Sequence, residues 1–530
     1  MKDMMKNINN ILIKAAAVIA VTLATVSCLE KMPGDAIPEK DGMKTFADAE
    51  QTLTGIYSAY MSGALYSGYL TLLPDIQADL VHAVQGYSNT YGQIWEWDIR
   101  PTSSEIKSVY GSLYTVIARC NFYLDKVDEL RKSFTNDDDI TYLDYYTGEV
   151  YCARANAYSE LIKCFCEAYD PATADEKMGV AIDSTYFGAK PKGRSSLKES
   201  YEFVIRDLEK AEELLDEDFD SYTNPYVTKA AVNALRARTA LYMQDFPTAI
   251  EYSTKVIESN AFALSTSSEY TTGTDAIQGG TRSFTYVDYM WTHDLSTEVI
   301  WQIGFTATSY GGALGQVFLN YTNDYTYFYP DYMPSEWVIG LYASSDARRT
   351  AYFRTLTTGY QGNPSLTLLV KYFGNHSDFI PYNIYHVSQP KPMRLAEQYL
   401  IRAEAYCRLE TPEFGKASAD LKTLSSARGA SVGSLSSTNW LSVISDERVK
   451  ELYMEGFRLN DLKRWQNLSQ WSKVQPDGRV FKREKQSSAL NGAGSTLEIK
   501  TNDYRFVWPI PQHEIEAPGS GMKGQQNKGY

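Results

Sequence analysis

Two stretches of the chain repeat a pattern that few folds can accommodate. From Pro392 to Arg408 the residues Leu395, Ala396, Tyr399, Leu400, Ala403, Tyr406 and Cys407 return every three or four positions. That spacing draws one apolar stripe along an α-helix, and the stripe must be buried. After Pro412, Ala417, Leu421 and Leu424 continue it as far as Gly429, a residue suited to a left-handed helix cap. Small side chains at Ala396, Ala403 and Ala405 let a second helix come close, and Asp446 to Trp465 is expected to pack there as well. Upstream, Thr228 to Ser259 repeats the arrangement, with Ala231, Ala234, Leu235, Arg238, Leu241 and Tyr242 on one helix. A turn at Gln244 to Pro247 follows, and Ala249, Ile250, Ser253 and Val256 face back from the next helix. Helix, short turn and helix with small residues at the crossing is the logic of tetratricopeptide-like repeats. The expected fold class is therefore mainly α, a scaffold of helical pairs.

A chain of 530 residues exceeds what one core usually organises, so a second lobe is expected beside the scaffold. Helical periodicity marks Thr45 to about Met61, Ser104 to Arg131, Thr147 to Tyr169 and Ser196 to Leu215, whereas 66–102 reads as loops. Between Ala263 and Tyr385 the helical period largely vanishes. Short β-like runs (Glu298 to Phe305, Leu366 to Phe373) alternate there with Gly, Ser, Thr and Asn, and one short helix is expected near Ser335 to Tyr342. Long irregular inserts in helical chains tend to carry function. The expectation is one domain over 45–530, with a helical scaffold at 45–262 and 392–470, a loop-rich ligand lobe at 263–391, and a C-terminal segment at 471–530.

The first 27 residues read as a signal peptide. Lys2, Lys6 and Lys14 precede an apolar run, Ala15 to Val26, too short to be a permanent membrane helix. Thr25-Val26-Ser27-Cys28 resembles a lipobox, although Thr25 replaces the usual Leu, so Cys28 is expected to be lipidated and 28–44 to be a tether. Cys120, Cys152, Cys164, Cys166 and Cys407 are odd in number and irregular in spacing, and read as small buried hydrophobes.

A net charge of −14 without a basic stripe argues against a nucleic-acid partner. No phosphate-binding glycine loop, helical His pair or nucleophile elbow appears, and the acidic runs Asp137 to Asp139 and Asp216 to Asp220 read as solvated turns. No catalytic or metal-binding residue is nominated and no cofactor is expected, with a structural calcium ion left open; a glycoside hydrolase with two distant carboxylates remains the alternative from another class. What remains is binding. Tyrosine is abundant, 41 residues, and its flat apolar face with a polar tip suits wet contact surfaces. If the segment around Glu96 is extended, Trp95 and Trp97 point the same way and form a platform on which the C–H faces of sugars can lie. The nominated ligand-binding residues are Trp95, Trp97, Tyr91, Asn89, Trp291, Asp288, Asn320, Tyr325 and Tyr329, with Tyr321, Tyr327, Asn323 and Asp324 nearby. Any single aromatic among them is more often core than contact, and only their clustering in two loop regions lifts the group. Trp465, Trp471 and Trp508 are assigned to packing.

The runs RLAEQYLIRAEAYCRLE, DERVKELYMEGFRLNDLKRW and WPIPQHEI, with the closing QNKGY, resemble the C-terminal signatures of the SusD/RagB family. LYTVIARCNFYLDKV, GEVYCARANAYSELIKCF, SSLKESYEFVIRDLEKAEELL and YMPSEWVIGLYASSDARR are similar to earlier family segments in the same order, so the resemblance spans nearly the whole mature chain. One departure is Cys152 and Asn156, where bulkier apolar residues are commoner. The resemblance implies a surface lipoprotein of the bacterial outer membrane that binds glycans, is not an enzyme, and caps a SusC-like TonB-dependent transporter. Peptide capture, as in RagB-like members, is the runner-up. Ligand contacts vary within the family, so none is transferred by motif.

Overall fold

The computed structural model describes residues 42–186, 192–320, 327–471, 480–483 and 497–530. Cys28 and the leader therefore lie outside the described residues. The fold is mainly α. Helix α1 (Phe46–Tyr60) opens with a capping box between Thr45 and Asp48. It is followed by α2 (Tyr69–Gln77), β1 (Val81–Ala83) and the one-turn helix α3 (Gly92–Trp95). The scaffold continues through α4 (Ser104–Arg131), α5 (Asp137–Phe165), α6 (Leu197–Leu214), α7 (Lys229–Tyr242) and α8 (Phe246–Glu258). The lobe contains β2 (Glu269–Thr274), β3 (Thr281–Thr285), α9 (Tyr286–Thr292), β4 (Val299–Trp301), α10 (Gln316–Leu319), β5 (Tyr332–Pro334), α11 (Glu336–Gly340), α12 (Ala347–Tyr352), β6 (Phe353–Thr357) and β7 (Ser365–Leu369). The chain then returns through β8 (Met393–Arg394), α13 (Leu395–Cys407), α14 (Phe414–Ala427), α15 (Trp440–Glu451) and α16 (Arg458–Trp465), ending with β9 (Val480–Arg483), β10 (Leu497–Lys500) and α17 (Gln512–Glu516).

Successive helices α4 to α8 pack side by side, and α13 docks on α8 as though nothing intervened, with α14 completing its pair. The lobe is thus an insertion between two helical pairs. The crossings are close because they are lined with alanine: Ala231, Ala234, Ala237, Ala249, Ala396, Ala403 and Ala405 are all buried. Gly429 caps the last pair at φ 71°, as its position in the sequence suggests. The five described cysteines are free and buried. Asn156 of α5, unusual among apolar neighbours, donates to the hydroxyls of Tyr60 (3.2 Å) and Tyr66 (3.0 Å), so its polarity is satisfied inside the core. No helix of the described residues is long and apolar enough to cross a membrane.

Three expectations need correction. Helix α5 starts at Asp137 rather than Thr147. Asn136 caps it by accepting from the Asp138 amide, and Asp137 to Asp139 occupy its first turn, where the helix dipole favours carboxylates, instead of forming a solvated turn. The segment 66–102 is structured rather than looped, and β1 pairs antiparallel with β5 (Val81 opposite Pro334), which attaches this early stretch to the lobe. Among the described residues the lobe carries four short helices, α9 to α12, rather than the one expected near Ser335 to Tyr342, whereas the run Asp446 to Trp465 packs on α13 as expected, as two helices separated where Met454 (φ 59°) and Gly456 (φ 84°) turn left-handed.

Lobe and scaffold are joined by a buried ion cluster. Glu451 of α15 accepts from Arg348 Nη1 at 3.0 Å, Arg394 Nη1 at 2.9 Å and Arg428 Nη2 at 2.8 Å. Glu298, beside β4, accepts from Arg394 (2.6 Å) and Arg428 (2.8 Å), while Glu447 accepts from Arg348 (2.7 Å). Arg348, Arg428, Glu298, Glu447 and Glu451 are each 0% exposed. Burial works against the Glu451 carboxylate, yet Arg428, Arg394 and Arg348 together hold it well below the usual range. The β4–β8 pairing (Val299 opposite Arg394) runs beside this cluster, so charge and ladder clamp the same junction.

Candidate functional site

The tryptophan platform does not exist as drawn from the sequence. Trp95 ends the one-turn helix α3 and Trp97 is left-handed at φ 60°, so the segment is not extended and the two rings diverge. Trp95 enters the lobe core and donates to the Val81 carbonyl (3.3 Å); Trp97 enters the scaffold core, donates to the Gln77 carbonyl (2.6 Å) and meets Phe506 edge-on. Their exposures are 0% and 1%, which leaves no ring face for a sugar. Trp291 points inward from α9 with Lys371 Nζ 3.9 Å from its ring centroid, a cation–π contact that occupies the face a ligand would need. Asp288 is spent on the capping box of α9 with Thr285 and on Arg282 at 3.2 Å. These four nominations are withdrawn as direct contacts. Tyr325, with Tyr321, Asn323 and Asp324, lies outside the described residues.

Tyr91 and Asn320, by contrast, come together in a cleft of about 750 Å³, within the range of small-molecule sites. One wall is the outer face of α4, where Lys107, Ser108, Ser112 and Thr115 follow at helical spacing. The opposite wall is α10 and the loop before it: Val317, Phe318 and Leu319 anchor this turn in the lobe core while Gln316 and Asn320 face the cleft, with Gln316 Nε2 donating to Asn320 Oδ1 at 2.8 Å. The floor is a glycine seam in which the Gly312 amide donates to Ser67 Oγ at 2.9 Å. Tyr69 and Tyr91 close one end, their ring centroids 5.6 Å apart at 78°, forming a corner of two half-buried rings. Tyr91 (φ 61°) and Asn320 (φ 35°) both lie in the left-handed region that bulky residues avoid, a strain that the fold maintains at the two places where these side chains enter the cleft.

Asn89 does not line the cleft; it donates to Asp331 Oδ1 at 2.7 Å and so orients the one carboxylate among the described lining residues. Tyr329, 37% exposed, lies just beyond Asn320 against Tyr360. Burial pushes the Tyr91 phenol up to about 12, and burial followed by the charge of Glu105 raises Tyr69. Both phenols therefore stay protonated at neutral pH and offer a hydroxyl donor at the rim of an apolar face. Among the described lining residues, hydroxyls, amides and two rings, with one lysine and one carboxylate, make a surface that matches an uncharged polyol better than an ion. Among the described residues no group of three His, Cys, Asp or Glu side chains converges to hold a metal.

The α10 wall hangs on His386, whose carbonyl accepts from the Gly315 amide at 3.1 Å. Burial pushes the His386 imidazole down from 6.5 to about 4. Its stabilising contribution is complete above pH 6.5 and is lost as pH falls towards 4, because the unfolded chain takes up a proton that the folded chain refuses. Across that window the loss is about 3 kcal/mol. Urea unfolding at pH 7.5 and 4.5 should show a smaller acid loss in His386→Asn, asparagine tolerating the φ of 67° there; an equal loss in both proteins would refute the assignment.

Comparison with known proteins gives a consistent picture. Residues 353–530 match the sequence profile of a family described as the SusD family, and residues 35–241 match one described as starch-binding, associating with the outer membrane. A SusD-like protein of Formosa agariphila is 27% identical over 270 residues, covering 49% of this chain and 48% of that protein. The match thus spans about half the length of that curated relative. Among solved structures, a SusD superfamily protein from Bacteroides thetaiotaomicron superposes with a TM-score of 0.70 at 22% identity, covering 91% of this chain and 99% of the other. A SusD-like carbohydrate binding protein from Bacteroides vulgatus gives 0.68 at 21% identity, covering 91% and 98%. At such identities the structural likeness speaks for the fold.

Proposed function

The chain belongs to the SusD/RagB family, and from that premise we propose that it captures oligosaccharides in the cleft and hands them to a SusC-like TonB-dependent transporter while anchored to the outer membrane through Cys28. The carrying observation is the corner formed by Tyr69 and Tyr91 facing the hydroxyl wall of α4. A sugar ring lying on one tyrosine meets the edge of the other, and its hydroxyls reach Ser108, Ser112, Gln316 or Asn320. The family profile over residues 35–241, described as starch-binding, supports a carbohydrate ligand, and its reference to the outer membrane supports the location. Modest affinity suits a protein that must release its cargo to a transporter.

Calorimetry against a panel of neutral polysaccharides, their oligosaccharides and a peptide library tests this reading. Tyr69→Ala and Tyr91→Ala should each lower glycan affinity by about 1 kcal/mol, roughly fivefold, with no heat from the peptides. Unchanged affinity in the double variant would remove the cleft from the reading. Peptide binding abolished by the same substitutions would replace the glycan with a peptide.

A further inference from the structure

Helix α9 was singled out in the sequence for Trp291 and Asp288, both of which face inward, and its opposite face carries something else. Tyr286 and Tyr289 stand one turn apart on that face and meet Tyr270 of β2, with ring centroids 4.7 and 4.5 Å away, each pair tilted by 56°. Tyr270 is 48% and Tyr286 42% exposed. The third ring is backed: the His293 imidazole stacks on Tyr289 at 3.9 Å, nearly parallel. The cluster is also held from beneath, because the Thr285–Asp288 capping box and the Arg282–Asp288 pair fix the start of α9.

We propose that Tyr270, Tyr286 and Tyr289 form a second carbohydrate-contact surface that holds another stretch of the same glycan chain whose end occupies the cleft. The proposal rests on the glycan reading of the cleft. Three observations choose this occupant over a protein partner. The rings are mutually tilted rather than coplanar, which gives a shallow ridge suited to successive sugar rings. The rim is mostly hydroxylated, with Thr272 and Thr274 on β2 opposite Ser283 and Thr281 on β3, and its one charged member on that face of the ribbon, Glu269, accepts from Thr272 Oγ1 at 3.2 Å. The β2–β3 ribbon contributes little to any core: only Phe284 is buried along its two strands, so the ribbon's surface, not its packing, accounts for what it presents. The two sites share no lining residue but rest on one hydrophobic core, which takes Val287, Met290 and Trp291 from α9 and Val317, Phe318 and Leu319 from α10. A chain long enough to reach around that core engages both, and the second contact then forms at high effective concentration.

The test compares long and short forms of one glycan on the full mature protein, using starch, β-glucan, xylan and mannan as polysaccharides and as tetrasaccharides. Tyr270→Thr and Tyr286→Ala, at exposed positions, should lower polysaccharide affinity about tenfold in combination and leave tetrasaccharide affinity unchanged. The Tyr69→Ala, Tyr91→Ala variant should weaken both sizes. Tyr270→Thr alone, with a hydroxylated strand-forming residue, guards against a folding defect and should show part of the same size-selective loss. Equal affinity of the Tyr270/Tyr286 variant and the wild type for polysaccharide overturns this proposal alone. An equal loss for both sizes overturns it too, because the surface would then belong to the cleft. Absence of binding by the wild-type protein to every polysaccharide overturns the cleft reading and this one together.

Discussion

Replacing Glu451 with alanine is expected to destabilise the protein by about 3–5 kcal/mol, the scale for breaking a buried ion pair by removing one partner. Arg348, Arg394 and Arg428 all donate to this carboxylate, and the first and last are fully buried. Without it, Glu298, Glu447, Asp346 and Glu455 remain, but Glu455 also pairs with Lys371 and Glu447 with Lys450, so five cations face four carboxylates in a site that water does not reach. The figure is therefore the cost of stranding guanidinium groups and not the net worth of the cluster; a well-packed apolar replacement of the whole group could cost far less. Glu451→Gln separates the two effects, since it keeps the volume and one acceptor oxygen while removing the charge, and most of the loss should persist. Urea titration gives the magnitude, and hydrogen exchange gives the place: β4 and β8, which pair beside the cluster, should exchange faster than α4 or α5. An unchanged unfolding midpoint in Glu451→Ala would mean that the lobe is held by its apolar contacts alone.

The same cluster shows which parts of the molecule could be read from the chain. The helical pairs were legible because their signal is local and periodic: Leu395, Ala396, Leu400, Ala403 and Cys407 are all buried, as one stripe requires. The first turns of α5 are not legible, because Asp137 to Asp139 look like a solvated run unless the helix that follows is known to begin there. The site was half legible. Tyr91 and Asn320 reach the cleft, but Trp95, Trp97 and Trp291 show why aromatic density is an ambiguous signal. The large ring that can stack on sugar is also the ring a core most readily absorbs, and what decides is a partner far along the chain, such as Lys371 over Trp291 or Phe506 against Trp97. Ser108, Ser112 and Thr115 carry no signal of their own in the sequence, because hydroxyls on the polar face of a long helix resemble ordinary solvated surface. The one local hint to the cleft floor was Gly311-Gly312-Ala313, a run of minimal side chains in an insert otherwise dense in tyrosine.

That seam carries the second large effect. A Cβ added at Gly312 would lie 2.5 Å from the Ser67 carbonyl oxygen and 3.3 Å from Gly63 Cα, backbone atoms that cannot rotate away. The flanking glycine is as tightly placed, an added Cβ at Gly311 falling 2.2 Å from the Met61 carbonyl oxygen. Gly312→Ala must therefore open the seam between the loop before α2 and the loop before α10, at a strain of about 1–3 kcal/mol if it stays closed. The free protein can relieve that strain by letting the two loops part, at the cost of the hydrogen bond from Gly312 to Ser67. A glycan that touches both walls must close them again, so its affinity falls by the strain it restores, roughly 5- to 150-fold. Gly312→Val should lie at the weaker-binding end. The scaffold does not depend on this seam, so the helical circular dichroism signal should be that of the wild type. Isothermal titration with the glycan bound by the wild-type protein provides the measurement, and wild-type affinity in Gly312→Val would show that the ligand does not bridge the two walls.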